Sequence, residues 1–384
     1  MGVLFVPFSF RYLTVQSDIT TLLFEDLIVF IGEHLDGFYM ATSEISSDSS
    51  TFYLLFFVLF FLAIALASGL SFFNFWKTHK DLILKAIQLI VAYYLAVVMM
   101  KYGFDKIFKV QFYLPEPNTL YTPLGMLDRD ILFWSTMGTS RTYNIFLGVM
   151  EVVPAIMLLF SRTRVLGLCI LSGILVNVVF INFGFDISVK LYSLFLLFLT
   201  LLLLVPFFNQ LAQFFIFNKS TVLNRLSGKE LIASNPLRLA LKSVVITLFF
   251  VETLFTYIQQ QQFNDDAVPR NLLHGAYEVF EVESVNAIDL DIKRVFIHRH
   301  NYLILQHNDE SFEDYQLEVD ATRRQFILTD YDRQTMIWQY SYSEATQILE
   351  ITSVDLGITI YSKSLSWREL PLLQPLFHWT VDEV

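Results

Sequence analysis

Six polar side chains, Lys106, Glu151, Asn177, Asn182, Asp186 and Lys190, fall inside or at the ends of otherwise apolar stretches of this chain. An ionisable group in lipid is expensive, so each needs a reason to be there. A carboxylate beside an amide can hydrogen-bond a ligand and relay a proton, and burial would raise the acid's pKa toward that use. Counting 1.5 Å per residue, Glu151 sits roughly 12 Å below the outer end of its apolar stretch, and Asn177 about five residues below the end of the next. Similar depth makes Glu151 with Asn177 the candidate polar pocket, helped by Lys106 and Asp186; the alternative is interhelical glue. Pro154, one turn beyond Glu151, loosens the backbone there. In "NVVFINFGFDISVKLYS" (177–193) a plainer reading also stands: Asn182 in a turn, Asp186 capping a helix from Ile187, and Lys190 snorkelling. Glu252 in "FFVETLF" reads as a structural or partner-facing group.

The stretches carrying these residues are long enough to cross a bilayer, which takes about twenty apolar residues. Residues 51–73, 83–101, 143–160, 164–182, 188–208 and 239–258 predict six spans. The chain is 54% hydrophobic and 16% charged, too apolar for an ordinary soluble protein, so the lipid bilayer is its first expected partner. Residues 1–50 are expected as an N-terminal interfacial segment. Within them Leu22, Leu23, Leu27, Phe30 and Ile31 recur at helical spacing among acidic residues, as in a helix lying on a membrane. The basic loops "FWKTHKD", "SRTR" and 217–238 share one side if there are six spans, and the positive-inside rule makes that side cytoplasmic. The loop 102–141 falls on the other side and, with "YLPEPNTLYTPLG", reads as a partly re-entrant cover. "MGVLFVPFSFRYLTVQSD" lacks a basic n-region and a small-residue cleavage site, so internal helices are expected to direct insertion.

Beyond "IQQQQFNDD" the pattern switches to period 2. Runs such as "YEVFEVES", "RVFIHRH", "YLILQHN" and "ITIYSKS" predict about eight antiparallel strands, a small sandwich or an up-and-down barrel, over 265–384. Phe296, Ile297, Leu303, Leu305, Phe326, Leu328, Ile337 and Trp338 would line or fill it. This part holds 9 basic against 21 acidic residues, whereas residues 1–264 hold 17 against 16. An acidic, water-exposed domain argues against nucleic acid as a partner.

Catalytic signatures are missing. Cys169 is the single cysteine, which excludes an internal disulfide, a CxxC pair or a cysteine-rich metal site. His298, His300 and His307 with Asp309 suggest a metal cluster only through strand alternation, and a solvated face is the better reading, so no metal is expected. No GxGxxG, GxxxxGK, HExxH or GxSxG motif occurs. No catalytic set, enzyme class or bound cofactor is evident from these residues.

"AYYLAVVMMKYGFDKIF" (92–108), "FWSTMGTSRTYNIFLGVMEVVPAIMLLFSRTRVLG" (133–167) and "NVVFINFGFDISVKLYS" resemble the DoxX-like integral membrane proteins. The likeness covers residues 85–210 and implies a four-helix core inside a transmembrane domain at 51–258. It matches Gly103 with Lys106 to the family's Gly-x-x-Lys, Glu151 to its membrane Glu, and "SRTR" to its basic hairpin. The whole chain is similar to a subgroup with a C-terminal lipocalin-like domain ending near Phe-His-Trp, here Phe377, His378 and Trp379. Where that subgroup often begins with an extra membrane helix, this chain has a short apolar start. The resemblance implies an accessory subunit of a quinone-linked redox system in a bacterial inner membrane, with partner subunits and a quinone or lipid ligand. The alternative is a non-enzymatic assembly, partner-binding or lipid-handling protein acting through its β-domain. Fold likeness does not by itself carry activity.

Overall fold

A computed structural model describes residues 1–8, 10–12, 14–35, 45–222, 234–285, 291–374 and 379–380. Among the described residues, six helices are long and apolar enough to cross a membrane: Ser50–Ser71, Asn74–Ile107, Arg141–Leu158, Arg164–Gly184, Lys190–Phe215 and Asn235–Ala267, called here the first to sixth spans. They are followed by a closed antiparallel barrel of eight strands. The chain forms two compact units, one of residues 1–111 with 141–265 and one of 112–140 with 266–384. Of the loop 102–141, expected as a partly re-entrant cover, residues 112–140 group with the barrel. Arg225, Lys229, Phe377 and His378 lie outside the described residues.

In the helical unit the second span is central. Val91, Ala92 and every residue from Tyr94 to Met100 are buried, because the span packs against the third, fifth and sixth. Glycine sets the closest approach. A Cβ on Gly103 would stand 2.8 Å from the Gly148 carbonyl and 3.1 Å from the Val152 nitrogen, so the second and third spans touch backbone to backbone there. The hairpin "SRTR" has a structural use: Thr163 Oγ1 donates to the Met157 carbonyl and Arg164 Nε to that of Leu158, both at 2.9 Å. These are carbonyls that the end of the third span leaves without helical donors.

The N-terminal helix Val15–Glu33 packs through Thr20, Phe24, Ile28 and Gly32. Leu22, Leu23, Leu27 and Phe30 of the expected apolar stripe are exposed, facing away from the bundle. Such a stripe suits lipid on its outer side, as the exposed Phe57, Phe60 and Phe61 do on the first span.

In the other unit the strands are β1 (Gly275–Ser284), β2 (Ile292–His298), β3 (Tyr302–His307), β4 (Phe312–Asp320), β5 (Gln325–Thr329), β6 (Thr335–Ser343), β7 (Ile348–Ser353) and β8 (Ile358–Ser364). Each pairs antiparallel with the next, and β1 pairs with β8 to remove the sheet edges. The six hairpins from β2 to β8 each turn on one left-handed residue: Asn301, Glu310, Arg324, Arg333, Gln347 and Gly357. Short loops of this kind tie consecutive strands into neighbours.

The interior is filled by side chains, among them Tyr277, Ile297, Leu303, Leu305, Phe326, Leu328, Trp338 and Ile360. Two expected lining residues are corrected. Phe296 is on the outer face with Ala276, Ile304 and Trp367, and Ile337 is exposed, because alternation forbids adjacent residues from pointing the same way. The outer patch around Phe296 is covered by Leu114, Leu120 and Tyr121 of the 112–140 stretch and by Leu365, Leu370 and Leu373. That burial holds 112–140 on the barrel.

Candidate functional site

Glu151 is buried and pairs with Lys106, whose Nζ stands 2.8 Å from its carboxylate. The two lie three residues beyond Gly103 and Gly148 on antiparallel helices, so their Cα atoms move apart along the axes. Helical side chains lean toward their own N-terminus, which sends Lys106 inward and Glu151 outward until they meet. Lys106 extends back over the Tyr102 ring, 5.5 Å from its centroid. Each charge thereby meets its neutraliser inside the bundle.

Asn177 does not join them. It is exposed on the fourth span, whose buried face carries Leu168, Leu171, Leu175 and Asn182. Depth along a helix was readable, but two residues beyond Leu175 the helix has turned by about 200°. Asn182 is buried, and its amide reaches the Val189 carbonyl at 3.4 Å, inside its own loop. Asp186 pairs with Lys190 at 2.7 Å while largely exposed, a contact of small energetic weight. Asp186 does not cap the fifth span, which begins at Lys190. Asp48 takes that role from a distant segment, accepting from the backbone N–H of Lys190 at 2.7 Å and Leu191 at 3.0 Å. Of the six candidates, Lys106 and Glu151 form one buried pair and the other four belong to a hairpin.

The helical unit contains a cavity that the sequence did not announce. Its volume is about 550 Å³, and its wall includes Lys101, Tyr102 and Asp105 of the second span, Phe52 of the first, Tyr192 of the fifth, and Phe8 and Phe10. Lys101 Nζ is 3.3 Å from the Asp105 carboxylate, which also accepts from the Tyr257 hydroxyl. The Tyr192 hydroxyl is 2.9 Å from that of Tyr94, deeper in the bundle. The Tyr102 hydroxyl makes no hydrogen bond among the described residues. The Lys101 and Tyr102 donors beside the Asp105 acceptor, walled by aromatic rings, are suited to an amphiphile's carbonyl or phosphate head. Lys101, Tyr102 and Asp105 follow i, i+1, i+4 spacing, a signal lost in a helix rich in Tyr and Met.

A second buried cluster lies in the barrel unit. Glu116 accepts from the Arg299 backbone N–H at 3.1 Å, from Arg299 Nε at 2.5 Å and from His274 Nε2 at 2.8 Å, and His298 Nε2 is 3.8 Å away. Burial by itself would raise the Glu116 pKa, but the His274 hydrogen bond and the Arg299 and histidine charges outweigh it and hold it down at about 2. Burial pushes His298 down to about 4, against the pull of Glu116. The cluster clasps the 112–122 stretch to the barrel. Among the described residues no group of three His, Cys, Asp or Glu side chains is arranged to hold a metal.

The histidine gives an acid response with a definite sign. Its folded pKa is below the unfolded 6.5, so the unfolded chain takes up the proton first. Stability of the barrel unit is therefore full above about 6.5 and declines toward 4, by on the order of 3 kcal/mol. Glu116, also depressed, extends the loss below its unfolded value of 4.5 down toward 2. Thermal unfolding followed by tryptophan fluorescence should show it, since Trp367 packs edge-on 5.6 Å from His274. His298→Gln should flatten the slope between pH 6.5 and 4; an unchanged slope would remove His298 as its source.

No family model matches the chain, and no solved structure matches it. A segment of 71 residues is 42% identical to the uncharacterized protein YwoB of Bacillus subtilis (strain 168). The match covers 18% of this chain and 46% of that protein, so the chain spans about half the length of the curated relative it matches. The chain is thus an integral membrane protein by its six apolar helices, similar over one segment to an uncharacterized bacterial protein.

Proposed function

We propose that this chain is a DoxX-like protein of a bacterial cytoplasmic membrane whose helical bundle holds the head group of an isoprenoid quinone or a lipid, as an accessory subunit of a quinone-linked redox system. The observation that carries the reading is the 550 Å³ cavity with the Tyr102 hydroxyl, which makes no hydrogen bond among the described residues, beside Lys101 and Asp105. The Lys106–Glu151 pair serves as its support, keeping Tyr102 in place from behind. The packed barrel interior argues against an apolar ligand inside the β-domain and leaves that domain as a contact surface for partner subunits. Alternation of six spans puts Lys77, Lys80, Arg162 and Arg164 at one end of the bundle, which the positive-inside rule makes cytoplasmic. Residues 111 and 265, where the chain passes to the barrel, fall at the other end, so the barrel is extracytoplasmic in this reading.

Native mass spectrometry of the detergent-purified protein is the test. The wild type should retain a quinone or lipid, and Tyr102→Phe, losing one hydrogen bond, should retain it about tenfold less tightly. Wild-type protein carrying no amphiphile, or equal retention by both proteins, would overturn the reading. A protein partner captured by the full chain without any amphiphile would favour the assembly alternative.

A further inference from the structure

Glu252 is a buried carboxylate in the sixth span, 4% exposed, and neither the Lys106–Glu151 pair nor the cavity wall includes it. It sits in a five-residue π-helical turn, Val251–Phe255, that interrupts the span. Such turns are rare and occur often at functional sites, because they rotate side chains that a regular helix would direct elsewhere. Its two oxygens accept from the backbone N–H groups of Arg11, at 2.5 Å, and Tyr12, at 2.9 Å. Thr256, one turn on, places its hydroxyl 3.3 Å from that of Tyr12, and the Tyr12 ring packs 6.4 Å from Phe255.

Among the described residues from Val6 to Tyr12 the clasped segment has no helix or strand. The backbone N–H groups of Arg11 and Tyr12 are not part of a helix or sheet ladder, and one carboxylate satisfies both at once. Immediately before the clasp, the same segment supplies Phe8 and Phe10 to the cavity wall. The Phe8 ring stands 5.4 Å from Tyr102 and 5.6 Å from Tyr192. Holding residues 11 and 12 thus determines where these two rings stand over the head-group site.

We infer that Glu252 is a positioning residue for the cavity: by clasping Arg11 and Tyr12 it sets the aromatic wall that admits and retains the amphiphile. This rests on the reading of the cavity as a head-group site. Glu252 touches no ligand in this scheme, and its effect passes through Phe8 and Phe10. Thr256 is the supporting contact.

Trypsin reads the clasp on the full detergent-purified chain. Arg11 is the single Lys or Arg among the first 76 residues, so cleavage after it releases one diagnostic peptide, Met1 to Arg11. A protease needs the segment free of its clasp, and cleavage follows the population of the open form. Glu252→Gln, which keeps the shape and one carbonyl acceptor, should be cut about tenfold faster. Thr256→Val should be cut faster by a smaller factor, which covers the case in which the first variant fails to fold. Retention of added decyl benzoquinone should fall in the same order, with the unfolding temperature of the barrel unchanged. Equal cleavage of wild type and both variants would overturn the clasp; faster cleavage with unchanged quinone retention would overturn its control of the site. If the wild type binds no amphiphile at all, the cavity reading fails, while the cleavage comparison still decides the clasp by itself.

Discussion

Glu151→Ala should destabilise the helical unit by about 3 to 5 kcal/mol, the usual cost of removing one partner of a buried ion pair. The carboxylate is 2.8 Å from Lys106 Nζ, and both side chains are nearly inaccessible, at 5% and 9%. Removing it takes from the nearly buried Lys106 ammonium the carboxylate that faces it at 2.8 Å, in an interior where a lost charge partner is costly. The diagnostic comparison is Lys106→Met with Glu151→Met in one chain, which removes both charges and keeps most of the volume. That double variant should recover most of the loss, because an apolar pair of similar size often matches a buried salt bridge. Thermal unfolding in detergent, monitored by helical circular dichroism, would measure all three. A double variant no better than Glu151→Ala would mean that the pair has a role beyond mutual neutralisation.

Gly148→Val is expected to cost the helical unit about 3 kcal/mol through overpacking at a backbone contact. Any Cβ at this position enters the space of the Gly103 carbonyl, and one at Gly103 meets the Gly148 carbonyl at 2.8 Å. Backbone cannot rotate out of the way as a side chain does, so the second and third spans must separate. Separation would also stretch the Lys106–Glu151 pair, so the two effects couple rather than add. Gly148→Ala should show a reduced form of the same loss. The yield of monodisperse protein on size-exclusion chromatography and its melting temperature would register both, and a neutral Gly148→Val would show that the helices can repack.

Six spans and an eight-stranded β-domain were readable from the sequence because both rest on one-dimensional patterns. A run of apolar residues as long as a bilayer is thick has few alternatives, and period-2 alternation with turn residues between the runs determines strands. The choice between sandwich and barrel was left open, since it depends on whether β1 and β8 find each other across the chain. That the stretch 112–140 groups with the barrel was not readable for a similar reason. Its attachment to the barrel rests on Leu114, Glu116 and Tyr121 meeting residues more than 150 positions later.

At the candidate site the sequence singled out Glu151 and Lys106, which the structure pairs with each other, and grouped Glu151 with Asn177, which the structure keeps apart. Residue counting gave the positions of Glu151 and Asn177 along their helices, but not the rotation of each helix about its axis, and rotation turned Asn177 outward. Glu252 was readable as a structural or partner-facing group, while its partner, the backbone of residues 11 and 12, was not. The sequence by itself determined which segments are long and apolar enough to cross a membrane, which form strands and how far along its segment each polar group lies. Only the tertiary structure decided which groups meet: Lys106 with Glu151 beside the Gly103 and Gly148 approach, Phe8 with Tyr102, and Glu252 with the backbone of Arg11 and Tyr12. Depth follows from counting along one chain segment, whereas contact depends on how separate helices rotate and pack.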